Sequence, residues 1–324
     1  MSSGDETGPD PRVSVIVRCL NEATHIGRLL DGLLEQSRPP DEIVIVDSGS
    51  TDATLEIAGQ YPTKIVHIAP DDFSFGRALN LGCDVASGDI LVSVSAHVYP
   101  IYDSWLRELV APFVSPQVSL TYGRQQGDDR TSYSERRIFT QWFPIESEPA
   151  QRHPFCNNAN SAVRRDVWER YRWDEALTGL EDLALARRAL DDGGTIAYVA
   201  TAPIVHVHEE TWAKIRNRYR REAIAHKMIY DEQRMGLFEA IGLAAVNIGG
   251  DLAYAARKRA LVRNVASIVG FRSAQFIGTF QGFAQSGPVH SELKRRFYYP
   301  AGRTGHTPEP GGSDARRIEY GDNA

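Results

Sequence analysis

The sequence predicts an α/β fold: an open, doubly wound, mostly parallel sheet with helices on both faces, followed by a helical C-terminal extension. Three observations carry that prediction. β-branched runs alternate with amphipathic stretches through the first hundred residues, the runs are apolar without a polar alternation, and after Thr211 the pattern turns helical. Continuous apolar runs suit strands whose sheet is covered on both faces, and strand-helix alternation brings successive strands parallel.

Val13–Val17 reads as the first strand, and Ile26, Leu29, Leu30, Leu33 and Leu34 recur at helical spacing behind it. Pro39 and Pro40 end that helix, and Glu42–Val46 is the second strand. A turn over Asp47–Asp52, a helix from Ala53 to Gln60, a strand over Lys64–Ile68, a helix over Gly76–Ala86 and a strand over Asp89–Val94 follow. Next come a helix at Leu106–Phe113, a strand at Ser119–Tyr122 and an irregular stretch from Gln125 to Asn160. Helices at Arg165–Tyr171 and Asp182–Asp191 precede a strand at Thr195–Val199. Open sheets of this kind bind ligands beyond the carboxyl ends of their strands, so the loops after Val17, Val46 and Val94 are where chemistry is expected.

Between Trp212 and Tyr230 the residues Trp212, Ile215, Tyr219, Ala223, His226 and Tyr230 share a face, with Arg216, Arg218, Arg220, Arg221 and Lys227 on others. That spacing predicts a basic amphipathic helix, whose cations suit a solvated face, a diphosphate or an anionic membrane surface. Further helical pattern runs from Leu237 to Phe283. Its longest weakly polar run, Ala240–Gly250, lies between Glu239 and Asp251 and is too short to span a bilayer, so no transmembrane helix is expected. The chain thus divides into a flexible N-terminus (1–12), the sheet domain (13–211), a basic helical region (212–300) and a disordered tail (301–324) rich in Gly, Pro and charge.

The 324 residues, 42% hydrophobic and 24% charged, place the chain among folded globular proteins. Its net charge of −6 hides an asymmetry: residues 201–300 hold 15 Lys/Arg against 8 Asp/Glu, and residues 1–200 hold 18 against 30. The acidic first part argues against a nucleic-acid partner, which demands many cations. Cys19, Cys83 and Cys156 lack metal or disulfide spacing, and the polar, acidic start has no signal-peptide pattern; the cytoplasm is the expected compartment.

Several loops hold residues suited to chemistry. Asp47, followed by Ser48, Gly49, Ser50, Thr51 and Asp52, puts a carboxylate at the ligand edge, where it suits a nucleobase N–H; the same turn suits capping of the next helix. His206 and His208 alternate on an extended segment and so point the same way. Glu181 and Asp182 open a helix, a place the helix dipole favours for acids in any protein.

In order and spacing, Arg18 to Glu22, Val46 to Asp52, Phe73 to Asn80, Tyr122 to Gln125, Asn157 to Ser161, Glu181–Asp182 and Val205 to His208 resemble the family 2 glycosyltransferases. These are inverting enzymes of the GT-A fold, and the likeness runs from Val13 to His208. It points to bacterial rhamnosyltransferase-like members that build polysaccharides. The resemblance implies a nucleotide-sugar donor, a glycan or lipid-linked acceptor, and Asp182 as catalytic base beside Glu181. It implies donor contacts from Arg18, Asn21, Glu22, Asp47, Ser48, Arg77 and Asn80, and a sugar and acceptor region around Arg124, Gln125, Asn158 and Asn160.

Where the family usually has an Asp-x-Asp pair for a divalent cation, this chain has Ser95, Ala96 and His97. The resemblance then leaves two readings. In one, His97 and His206 hold Mn2+ or Mg2+, with His208 as a further ligand or a phosphate contact; imidazole suits Mn2+ better than the harder Mg2+. In the other, the site is metal-independent and His97 hydrogen-bonds a phosphate. The same departure admits a catalytically silent domain that binds a nucleotide sugar or an assembly partner.

Overall fold

In the computed structural model, which describes residues 10–285 and 316–320, nine strands form one sheet. β1 (Val13–Cys19), β2 (Glu42–Asp47), β3 (Thr63–His67) and β4 (Ile90–Ser95) make its parallel part in the order β3-β2-β1-β4. β8 (Asn160–Arg164) runs antiparallel to β4 and to β6 (Val118–Gln126), and β6 lies parallel to β9 (Thr195–His206). β5 (Val98–Pro100) and β7 (Glu148–Gln151) pair antiparallel with β9.

The uninterrupted apolar runs have a direct structural cause. Val13, Val15, Val17, Ile43, Ile45, Ile90 and Val92 enter one core with α1 (Ile26–Leu34) and α4 (Trp105–Val110). Ile16, Val44, Val46 and Leu91 enter a second core on the opposite face, with α3 (Phe75–Val85), α6 (Arg165–Tyr171) and α7 (Glu181–Asp191). Alternate side chains of one strand point to opposite faces, so a sheet covered on both sides favours apolar residues at successive positions, with small Ser14 and Ser93 as buried exceptions. α2 (Thr54–Ala58) is a short helix after the β2 turn.

The structure corrects four expectations. The stretch read as irregular holds β7 and the helix α5 (Tyr133–Trp142). The basic helix, α8 (Trp212–Ile229), packs against α10 (Leu261–Ala284) so closely that a Cβ at Gly278 would stand 2.2 Å from the Arg216 carbonyl oxygen. Four of its cations are engaged internally, Arg218 with Glu135 and Glu210, Arg220 with Gln285, Lys227 with two carbonyls, and Arg221 over the Phe75 ring, while Arg216 is exposed.

The third correction concerns α9 (Leu237–Arg257), which is long and apolar enough to cross a membrane by length and composition. The helix continues through both bracketing acids because Asp251 is buried against Arg272 and Arg137. Finally, residues 316–320 of the expected disordered tail are packed: Ile318 is buried and Arg317 bridges Tyr102. The rest of that tail, and residues 1–9 of the expected flexible start, lie outside the described residues.

Candidate functional site

Two groups of side chains lie at the carboxyl edge of the parallel strands, one reached by Arg18 at the end of β1 and the other by Glu22 in the loop after it. The first group is acidic. Asp182, in the first turn of α7, accepts from the backbone N–H of Asn158 at 2.9 Å and of Leu183 at 2.8 Å. Its neighbour Glu181 meets the Arg18 guanidinium at 3.2 Å and the Asn158 side-chain amide at 3.4 Å. Phe75 is flanked by guanidinium groups, Arg18 at 4.8 Å and Arg221 at 4.5 Å from its centroid.

Burial, and then the adjacent Glu181, push the Asp182 carboxyl up to about 7. The Asn158 and Leu183 N–H donors and Arg18 pull the other way. A carboxyl poised near neutrality can take up and release a proton under ordinary conditions. The backbone just ahead is strained, since Leu180 sits at φ 58° in the left-handed region.

The second group is made of imidazoles. His97 Nδ1 lies 2.9 Å from Glu22 Oε1, His206 Nδ1 2.8 Å from Gln125 Oε1, and His208 Nδ1 2.7 Å from Glu135 Oε1. Each oxygen accepts from an Nδ1–H, and in the neutral form of such a ring Nε2 keeps its lone pair. The Nε2 atoms of His206 and His208 stand 2.9 Å apart. Burial, then His208 and His97, hold the His206 pKa well below its ordinary value, so that ring is neutral. Burial alone would raise Glu135, but Arg218 and His208 outweigh it and hold the carboxyl at about 2.

This donor set fits a divalent cation. One ligand atom from each of His97, His206 and His208 lies within 4.8 Å of the others. Two metal–nitrogen bonds of about 2.1 Å at a right angle put their donors about 3 Å apart, close to the His206–His208 spacing. An oxygen acceptor behind every ring is the arrangement that orients metal-binding histidines. Beside His208 opens a cavity of about 460 Å3, lined by Arg130, Glu135, Glu209, Glu210, Trp212 and Ser267 among others.

The remaining sequence-selected residues divide by what they touch. Asp47 is buried and accepts from the N–H groups of Gly49 and Ser50, and Ser48 donates to the Cys19 carbonyl. The Asn21 side chain accepts from the Thr51 N–H, so these residues build the turn after β2. Ser95 and Ala96 carry the chain from β4 to His97, Ala96 buried and Ser95 opposite Arg18 in the β1–β4 register. Arg77 is exposed on α3, and Arg124 adjoins Gln125 on β6.

Two residues stand apart from these groups. Asn80 is in the core, donating to the Trp173 carbonyl and Glu175 and accepting from Trp168 Nε1 and the Trp173 N–H. Asn160 accepts from Trp105 Nε1 and donates to the carbonyls of Arg124 and Ala202. Their amides hold core elements together. Conversely, sequence reasoning missed Glu135, Arg218 and Glu210. The Ser132-x-x-Glu135 spacing was the available signal, for Ser132 accepts from the Glu135 N–H and starts α5.

The chain also resembles known proteins in sequence and in fold. Residues 14–172 match the model of the glycosyl transferase family 2. An O-antigen chain rhamnosyltransferase, RfbN of Salmonella typhimurium, is 25% identical over 66% of this chain and 72% of its own. The mannosyltransferase PcManGT of Pyrobaculum calidifontis, solved with GDP-Man and Mn2+, superposes with a TM-score of 0.61 at 20% identity, over 84% of this chain and 87% of that one. Glucosyl-3-phosphoglycerate synthase from Mycobacterium tuberculosis, solved with Mn2+, UDP and glucosyl-3-phosphoglycerate, gives 0.52 at 20% identity over 70% and 82%. The fold is that of the GT-A glycosyltransferases, and the chain is a glycosyltransferase whose family 2 domain spans residues 14–172.

Proposed function

We propose that the enzyme transfers one sugar, with inversion, from a nucleotide-sugar donor to a glycan or lipid-linked acceptor, with Asp182 as general base. The observation that carries this reading is the fixed Asp182 carboxylate, held by two backbone N–H groups beside the Arg18–Glu181 pair. Asp182 takes the proton of the acceptor hydroxyl as that oxygen bonds to the anomeric carbon. The bond to the donor diphosphate breaks on the opposite face, and the leaving oxygen keeps its electron pair. One base is enough because no covalent intermediate forms.

His97, His206 and His208 would hold a divalent cation, Mn2+ fitting an all-nitrogen set better than Mg2+. Once bound, such an ion offsets the charge that builds on the leaving diphosphate. Mn2+ in the two solved structures supports this assignment. Asp47, Ser48, Asn21 and Arg77 then belong to the donor side, and Asn158 and Gln125 to the sugar and acceptor side. Purified enzyme screened against UDP-, GDP- and dTDP-sugars by thermal shift, with and without Mn2+, tests the donor. The base is tested with a labelled sugar: Asp182→Asn should lose transfer by about 100-fold or more while nucleotide binding persists. Full transfer by that variant, or activity indifferent to excess EDTA, would defeat the corresponding part.

The acceptor side is proposed to meet an anionic membrane at the cytoplasmic face, through the α9–α10 hairpin rather than α8. α9 is polarised the wrong way for water: Asp251 faces inward, whereas Phe238 is 87% and Val246 72% exposed. Exposed Arg257, Lys258, Arg259 and Arg263 surround the turn between the helices, which suits acidic headgroups. Flotation with vesicles containing phosphatidylglycerol, against neutral phosphatidylcholine, should recover the protein selectively. A Phe238→Ser, Val246→Ser double variant should stay behind, and equal flotation with both vesicles would remove the proposal.

A further inference from the structure

We propose that the C-terminal segment Arg316–Tyr320 is a clasp that positions the strand behind His97. β5 has three residues, follows His97 directly and ends the sheet beyond β9. So short a strand at a sheet edge has little cohesion of its own. On one side it pairs with β9, where Val98 lies opposite His206 and the Val207 N–H donates to the His97 carbonyl at 3.0 Å. Those pairings set the His97 and His206 rings 5.2 Å apart between centroids. Any sliding of β5 along β9 changes that distance.

The clasp grips the strand and the turn after it. The Ile318 N–H donates to the Ile101 carbonyl at 3.2 Å, the Asp103 N–H donates to the Arg316 carbonyl at 3.1 Å, and the Tyr320 hydroxyl donates to the Pro100 carbonyl at 2.6 Å. Tyr320 also meets Tyr99 edge to face, next to buried Ile101, Val205 and Val207, and Arg28 of α1 lies over both tyrosine rings. Gly32 completes the seat, since a Cβ there would stand 2.2 Å from the Tyr320 hydroxyl. A helix interior ordinarily disfavours glycine, and here its bareness admits a side chain from almost 300 positions away. Tyr320 and Ile318 are thus positioning residues for His97, a role that rests on the reading of His97 as part of the site.

Hydrogen exchange on the full chain tests the clasp separately from that reading. Tyr320→Ala should speed amide exchange at residues 97–101 and 204–207 by about tenfold, with residues 13–19 unchanged. Gly32→Ala should do the same although alanine favours the helix, and adding Tyr320→Phe to it should recover part of the protection. In Tyr320→Ala, the Mn2+ concentration for half-saturation, followed by electron paramagnetic resonance, should rise by about tenfold. Unaltered exchange at 97–101 and 204–207, or equal acceleration at 13–19, would overturn the clasp. If the unaltered protein binds no Mn2+, the cation reading fails and the exchange pattern alone decides the clasp.

Discussion

His206 and His208 face each other through Nε2 atoms 2.9 Å apart, each ring held from behind by an oxygen on its Nδ1. Two lone pairs at that distance repel unless a proton or a cation lies between them. His206→Ala or His208→Ala should therefore weaken Mn2+ binding by at least about tenfold, and His97→Ala likewise, as read by paramagnetic resonance titration. Affinity unchanged in all three would remove the imidazoles from the cation site.

Gln125 supplies a subtler test of the same geometry. Its side-chain oxygen is the acceptor for His206 Nδ1, in a buried environment where no water replaces it freely. Gln125→Leu keeps the approximate volume but frees the ring to turn or to change tautomer. Loss of such an orienting partner costs about 10- to 100-fold in metal affinity. Gln125→Glu, which keeps an acceptor, should stay closer to the unaltered enzyme in the same titration.

The acidic group makes a prediction about pH. A general base works deprotonated, and Asp182 is raised to about 7 by burial and Glu181. Turnover under saturating donor should therefore climb through pH 7 and level off above it. Glu181→Gln removes a raising charge, so the rising limb should move to lower pH. Arg18→Ala removes a lowering charge, so it should move higher. Parallel displacement of both variants would contradict the assignment of Asp182 as the titrating group.

How far the sequence revealed all this depended on where each residue's partner lies. The strands ending at Cys19, Asp47 and Ser95 were legible because two-sided burial demands unbroken apolar runs. The helix that Glu181 and Asp182 open was legible from the residues that follow them. Asn80 and Asn160 misled because the sequence cannot show that indole N–H groups of Trp168 and Trp105 engage them. α5 went unseen because its buried face includes Ser134 and Glu135, which no apolar periodicity marks. The α8 cations looked free to meet a membrane surface because no helical periodicity shows that Arg218 pairs with Glu135, on a distant helix, and with Glu210, just ahead of its own. Ile318 and Tyr320 were hidden by the Gly, Pro and charged residues around them.

The hairpin yields the last prediction, which separates the inner and outer faces of α9. Asp251 is 2% and Arg272 3% exposed, and their carboxylate and guanidinium meet at 2.8 Å, with Arg137 on the same carboxylate. Asp251→Ala leaves a buried guanidinium without its charge partner, a loss of about 3–5 kcal/mol in comparable ion pairs. Urea unfolding should show that loss as a lower midpoint, or as an early separate transition if the helical region melts before the sheet. Phe238→Ser changes a side chain already in solvent and should leave the same curve in place. If Phe238→Ser instead destabilised the protein in the absence of vesicles, the outer face of α9 would be packed against the chain, and membrane contact through it would be ruled out.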